Sequence, residues 1–253
     1  MEAIILGTGT SQGVPVIGCD CEVCKSKDLK DNRLRTSLLL KIENLTILID
    51  AGPDFRQQML RENIKKLDAI IFTHEHKDHI GGLDDVRAFN FMTKMPMEIY
   101  AENRVQEALR AEYSYVFSGN NYPGIPRLNL NSISEEEFFI QGIKVQPIRV
   151  MHYNLPILGF RIGELTYITD ANYISEDEKN KIFGSKVLII NALRKEKHIS
   201  HYSLDEAIEI VKQCSPRKAY FTHMSHHIGL NEQVNSLMPN HMELAYDGLK
   251  ITL

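Results

Sequence analysis

The chain has 253 residues, with 29 Lys plus Arg against 33 Asp plus Glu, a formal net charge of -4, 43% hydrophobic and 25% charged residues. That balance excludes collagen-like, low-complexity and disordered chains, and leaves enough apolar sequence to bury a substantial core. The mild acidity gives no global attraction to nucleic acid. The amino-terminal MEAIILGTGT lacks the basic n-region of a signal peptide, and apolar runs such as AIIF and VLII are too short to cross a bilayer. The expectation is a cytoplasmic protein without membrane contact.

In chain order, Ala3–Leu6 reads as a short apolar strand, followed by a long loop, Gly7–Arg35, rich in Gly, Pro, Cys and charge. A loop of that length inside a compact domain is usually functional or pinned. Ser37–Ile42 and Leu45–Asp50 read as strands joined at Glu43-Asn44, Asp54–Asn63 as a helix, and Ala69–Phe72 as a buried strand ending at Thr73-His74. Ile80–Phe91 reads as helix, Glu98–Tyr100 as strand, Asn103–Tyr115 as an amphipathic helix, and Asn120–Ser134, with Pro123, Gly124 and Pro126, as irregular. Strands return at Phe138–Ile140, Lys144–Val150, Leu158–Ile162 and Leu165–Thr169, then a helix at Glu176–Phe183 and a strand at Val187–Asn191. Ser203–Cys214 is a helix opened by a capping box, Ser203 with Glu206. Ala219–Thr222 is a strand, Asn231–Leu237 a helix, and Met242–Leu253 a terminal hairpin about Asp247-Gly248. Two β-rich halves, each followed by helices, suggest two packed sheets with helices outside, in one domain over 1–253; periodicity alone separates neither α/β nor α+β.

Three of the four cysteines, Cys19, Cys21 and Cys24, fall within six residues. C-x-C-x2-C suits a thiolate metal site that lacks one ligand of a tetrahedral set. Cys214, alone at the end of an amphipathic helix, reads as a buried structural thiol. Residues 74–79 read HEHKDH. Extended backbone puts His74 and His76 on one side, while Asp78 and His79 open the next helix, so one short segment could serve two adjacent ions.

HEHKDH resembles the H-x-H-x-D-H signature of the metallo-β-lactamase superfamily, and other positions fall in that family's order. Asp50 in TILIDAG resembles the aspartate that supports the metal site from behind, and His152 in RVMH the third-motif histidine. Asp170 in TYITDAN resembles the aspartate that bridges two metals, and His223 in AYFTHMSH the final histidine ligand. The resemblance covers nearly the whole chain. It implies an αββα sandwich, α/β (α+β) in class, with a binuclear site for two divalent metals, zinc or manganese: His74, His76 and His152 on one, Asp78, His79 and His223 on the other, Asp170 between.

GTGTSQGVP followed by the triple-cysteine motif is similar to the PhnP-type group, which cleaves cyclic phosphodiesters. That likeness implies a structural zinc held by Cys19, Cys21, Cys24 and His226, with His227 as rival, pinning the loop at about 7–35. It also implies that His201, in KHISHYS, acts beside the metals, with His198 as competing candidate. The implied function is a metal-dependent phosphodiesterase on a small phosphorylated substrate such as phosphoribosyl 1,2-cyclic phosphate, with Asp78, Asp170 and His201 serving the chemistry; a homodimer is a family-level expectation. Arg194 and Lys195 follow a strand end and suit either a second substrate phosphate or a solvated turn, and Arg33 and Arg35 carry the same two readings. Other readings on this fold are a tRNase Z-like RNA-processing enzyme, a lactonase and a diiron redox module. The net charge and the lack of a Gly-rich or Lys-rich arm disfavour large RNA. The triple-cysteine loop disfavours the lactonase, and the presence of His76 the redox module.

Overall fold

A computed structural model describes residues 1–119 and 122–253. Two seven-stranded sheets form the middle of the molecule. In the first, β1 (Glu2–Gly7), β2 (Ser37–Ile42), β3 (Leu45–Ile49), β4 (Ala69–Ile71), β5 (Met97–Ala101) and β6 (Leu128–Ser132) run in sequence, with the carboxy-terminal β14 (Leu249–Thr252) beside β1. In the second, β7 (Phe138–Ile140), β8 (Ile143–His152), β9 (Leu155–Ile162), β10 (Leu165–Ile168), β11 (Val187–Asn191), β12 (Lys218–Thr222) and β13 (Met242–Leu244) are likewise consecutive. Pairing is antiparallel at the start of each sheet, from β1 to β3 and from β7 to β10, and parallel from β3 to β6 and from β10 to β13.

Strand side chains alternate between faces, and here both faces are buried. Ala3, Ile5, Leu38, Leu40, Ile47 and Ile49 meet Leu158, Phe160, Ile162 and Ile189 between the sheets. The alternate residues Ile4, Leu6, Leu39, Leu48 and Ile70 pack outward on α1 (Phe55–Arg61), α3 (Arg87–Thr93) and α4 (Asn103–Glu112). Across the molecule, Ile148, Ile168, Leu188, Ile190 and Phe221 pack on α6 (Glu176–Ile182), α7 (Leu204–Cys214) and α8 (Asn231–Asn235). The order is helix, sheet, sheet, helix, as the resemblance implied. The capping box forms: Ser203 Oγ accepts from the Glu206 N–H, and the Ser203 N–H donates to the Glu206 carboxylate. Cys214 is buried, as expected, and burial pushes its thiol up to about 11.

Three expectations are corrected. The helix over 80–91 is broken into α2 (Lys77–Ile80), a single 3-10 turn at Leu83–Val86, and α3. Gly82 donates to the Ala51 carbonyl, and a Cβ there would lie 2.0 Å from the Gly52 oxygen, so the chain must pass too closely for a regular helix. The stretch 120–134, of which 120 and 121 lie outside the described residues, contains the edge strand β6. Its LNLNS alternates as a strand should: Leu128 and Leu130 pack against the outer core, while Asn129 and Asn131 donate to Glu98 on β5. Asparagine and the adjoining prolines hid that period. The terminal hairpin does not form. β13 pairs with β12 in the second sheet and β14 with β1 in the first. Asp247-Gly248 is instead a crossover, fixed by Asp247, whose carboxylate accepts from the Thr8 and Leu34 amides.

Candidate metal centre

The parallel strands end along one edge, and the predicted site residues cluster there. Asp50 follows β3, His74 lies three residues past β4, His152 closes β8, Asp170 lies two residues past β10, and His223 follows β12. Asp50, Asp170 and His223 adopt φ of 65°, 58° and 54°. A left-handed conformation is costly for a non-glycine residue. Here it ends the strand at once and turns Asp170 and His223 toward the ligand cluster and Asp50 onto Thr73 and His79.

Ligand atoms of His74, His76 and His152 lie within 4.8 Å of one another, as do those of Asp78, His79 and His223, and those of His74, His79 and Asp170. Asp170 Oδ2 is 3.2 Å from His79 Nε2 and its Oδ1 is 3.0 Å from His223 Nε2; Asp78 Oδ2 is 3.3 Å from His79 Nε2. The outer nitrogens of three histidines are tied down. His79 Nδ1 donates to Asp50 Oδ2 at 2.7 Å, His152 Nδ1 to the Ser200 carbonyl at 2.9 Å, and His74 Nδ1 to Thr73 Oγ1 at 2.9 Å. Thr73 in turn donates from both N–H and Oγ1 to Asp50. Fixing Nδ1 as the protonated nitrogen leaves Nε2 as a lone pair aimed inward. His74 Nε2, His79 Nε2 and both His223 ring nitrogens are buried without a hydrogen-bond partner.

Orphaned lone pairs beside buried carboxylates call for a cation. Burial pushes the His79 imidazole down, yet Asp78, Asp170 and Asp50 together hold it well above its ordinary value. Burial pushes Asp170 up, but His223 and His79 hold it well below the usual carboxylate range, and His79 does the same for Asp78. The mixed imidazole and carboxylate donors, with unpartnered ring nitrogens beside buried carboxylates, fit zinc or manganese.

His201 is buried beside this group, its Nδ1 3.6 Å from Asp170 Oδ1 and without a hydrogen bond. Burial pushes it down to about 3, so the ring is neutral at pH 7. His198 stands farther out, its ring centroid 5.3 Å from that of His201, and accepts from the Ser200 N–H.

A second cluster gathers Cys19, Cys21, Cys24 and His226. His226 Nδ1 lies 3.3, 3.3 and 3.5 Å from the three sulfurs. A zinc tetrahedron with Zn–S of about 2.3 Å and Zn–N of about 2.0–2.1 Å has S···N edges of about 3.5 Å, so the donor set fits the ion. His227, the rival, is exposed and outside the cluster.

The basic candidates separate. Arg194 donates to the carbonyls of Glu196 and Lys197, closing its own exposed turn. Arg35 pairs with Asp54 and donates to the Ser11 carbonyl. Lys195 lies beside Gly229. Arg33 is 1% exposed, out of reach of any substrate. Sequence reasoning missed Thr73 and Asn191. Asn191 accepts from the Ala171 N–H and donates to the Ala171 carbonyl, bracing the turn that presents Asp170. Thr73 adjoins the motif and Asn191 ends a buried strand, positions at which a polar side chain signals a bond to backbone or ligand.

A model of the beta-lactamase superfamily domain matches residues 46–224. A Porphyromonas gingivalis (strain ATCC BAA-308 / W83) octanoyltransferase is 42% identical over 253 residues, 99% of this chain and 51% of that protein, so the chain spans about half the length of this relative. Among solved structures, a new diphosphatase from the PhnP family is similar over 99% of this chain and 97% of its own, with TM-score 0.92 and 38% identity. Zn(2+)-bound PqqB from Methylobacterium extorquens covers 100% of both chains with TM-score 0.82 at 19% identity, a likeness of fold alone.

Proposed function

The chain belongs to the metallo-β-lactamase superfamily, in its PhnP-like group, and from that premise we propose that this hydrolase is a binuclear metal-dependent phosphodiesterase acting on a small phosphorylated substrate, a cyclic phosphodiester such as phosphoribosyl 1,2-cyclic phosphate. The observation that carries the reading is the meeting of two ligand triads, His74–His76–His152 and Asp78–His79–His223, about Asp170. His74, His76 and His152 would hold one ion and Asp78, His79 and His223 the other, with Asp170 reaching both. Two such ions supply an activated water and neutralise charge on phosphoryl oxygens.

The chain's own groups do the rest. Asp50 fixes the tautomer of His79, and Ser200 that of His152. His201, neutral at pH 7, donates an N–H to a phosphoryl or leaving oxygen rather than delivering a proton from an imidazolium, and nearby dications would strengthen that preference. Cys19, Cys21, Cys24 and His226 would hold a structural zinc that ties the 7–35 loop to the turn after His223.

The solved PhnP-family diphosphatase favours a second reading, in which the bond cleaved is a phosphoanhydride. Phosphorus NMR of the manganese- or zinc-loaded protein separates them. Conversion of phosphoribosyl 1,2-cyclic phosphate to ribose 1,5-bisphosphate supports the diesterase. Cleavage only of a pyrophosphate-linked substrate supports the diphosphatase, and neither reaction with both metals bound overturns both. Acyl transfer in the octanoyltransferase relative we assign to the half this chain does not match; transfer from an octanoyl thioester by the purified chain would overturn that assignment.

A further inference from the structure

Arg33 is a buried arginine that the metal chemistry leaves unexplained. Its side chain is wholly shielded, and its closest carboxylate, Asp31, is 3.5 Å away. Asp31 is otherwise committed, accepting from Ser26 Oγ at 2.6 Å and from the Asn231 N–H at 2.8 Å. The guanidinium donates to two backbone carbonyls, Ser225 at 3.0 Å and Gly229 at 3.2 Å, while Nε has no partner. Burying a guanidinium on carbonyls and one loose carboxylate is unfavourable unless something else nearby needs its charge.

The two carbonyls bracket His226, which opens the short turn His226–Ile228. At the other end of the same residue, the Arg33 N–H donates to the Val14 carbonyl and the Val14 N–H to the Arg33 carbonyl. Two residues on, the Val16 N–H donates to Cys24 Sγ. Arg33 therefore holds the entry to the cysteine loop with its backbone and the histidine turn with its side chain. Three thiolates and one imidazole about a dication carry a net charge of -1; burial pushes the guanidinium down, and Asp31, Asp247 and Cys24 hold it up.

We propose that Arg33 is the counter-cation and clamp of the Cys19–Cys21–Cys24–His226 zinc site. Its charge offsets the anionic zinc–thiolate group, and its two carbonyl bonds hold the His226 turn at the distance the tetrahedron needs. It is a positioning residue, 1% exposed and so unconnected with substrate phosphate. The inference rests on the zinc reading of that cluster.

The test is made on the full chain. Zinc released by a mercurial, which attacks thiolate-held metal, is counted with a metallochromic indicator, and the rate at which a chelator removes it is then compared among variants. Wild type should yield one such equivalent. Arg33→Met should lose it about 10-fold to 100-fold faster, the usual scale for partners that support metal ligands. Arg33→Lys keeps the charge and one carbonyl bond and should fall between. The melting temperature should drop for Arg33→Met in the wild-type background and far less in a Cys19→Ser background, where there is no zinc site to support. Equal drops in the two backgrounds, or wild-type release rates in both Arg33 variants, overturn the proposal. No mercurial-released zinc in wild type overturns the zinc reading itself. If Arg33→Met does not fold, Arg33→Lys carries the comparison, and wild-type behaviour there overturns the clamp.

Discussion

Asp50→Asn is the substitution that tests the centre most sharply, because it changes one charge and almost no volume. Asp50 is fully buried and accepts three bonds: the Thr73 N–H at 2.9 Å on Oδ1, and Thr73 Oγ1 at 2.8 Å and His79 Nδ1 at 2.7 Å on Oδ2. An asparagine accepts through one atom only. If its oxygen faces Thr73 N–H, its NH₂ faces His79 Nδ1, which must lose its proton to accept. The proton then sits on Nε2, and the lone pair that should hold a metal is gone. If the amide flips, two N–H groups collide at Thr73. An unsatisfied buried donor costs about 1–3 kcal/mol, and loss of a partner behind a ligand usually costs about 10-fold to 100-fold in metal affinity, or about 1.4–2.7 kcal/mol. The expected result is a folded protein with weaker binding of one metal equivalent by competition with a chromophoric chelator, near-normal binding of the other, and activity recovered by excess metal. Unchanged metal affinity with lost activity would refute the reasoning, because Asp50 would then act on substrate and not through His79.

His201→Ala should keep the full metal content, read by plasma mass spectrometry, and lower kcat by about 10²–10³; loss of a metal equivalent would make His201 a ligand. Cys19→Ser should remove the thiolate-held zinc and lower the melting temperature while the other metals stay. The same site should respond to acid. The Cys24 N–H, His226 and the neighbouring thiols draw the Cys21 thiol from 9.0 down to about 6 against burial. A depressed acid stabilises the fold fully above its unfolded value and loses that contribution as pH falls through the folded one. Protons compete with zinc for the same sulfur, so zinc retention on dialysis should fail as pH falls through about 6; retention independent of pH would contradict it. Asp247→Ala strands the Thr8 and Leu34 amides and should cost about 3 kcal/mol, a fall in melting temperature of about 10 °C.

The clustering of the candidate ligand residues and the fold were legible for the same reason: local rules agree there with the global structure. HEHKDH follows a buried strand, so periodicity and motif point to one cleft, and the capping box at Ser203 marks its helix without help from packing. The failures share a cause. The break at Gly81-Gly82 is forced by the backbone of Gly52, about thirty residues earlier. The Asp247 crossover is forced by amides at positions 8 and 34, at the far end of the chain. Neither partner lies within a window that periodicity can sample, and Asp247-Gly248 satisfied the hairpin rule while its flanking strands entered different sheets.

The left-handed residues sharpen the point. Nothing in the composition of TILIDAG, TYITDAN or AYFTHMSH says that Asp50, Asp170 and His223 take positive φ. Glycine would adopt that conformation without strain and could ligate nothing. The chain instead keeps a coordinating or supporting side chain at each of these strand ends. The surrounding bonds hold the strain in place: Thr73 on Asp50, Asn191 on the turn after Asp170, and the Met224 N–H on the Thr8 carbonyl just after His223. Thr73, Asn191 and the Thr8–Asp247 pair are therefore as much a part of the centre as the ligands. They hold three strained backbone positions, two that present Asp170 and His223 to the ligand cluster and one that sets Asp50 behind His79, and the arrangement became visible only when both sheets were in place.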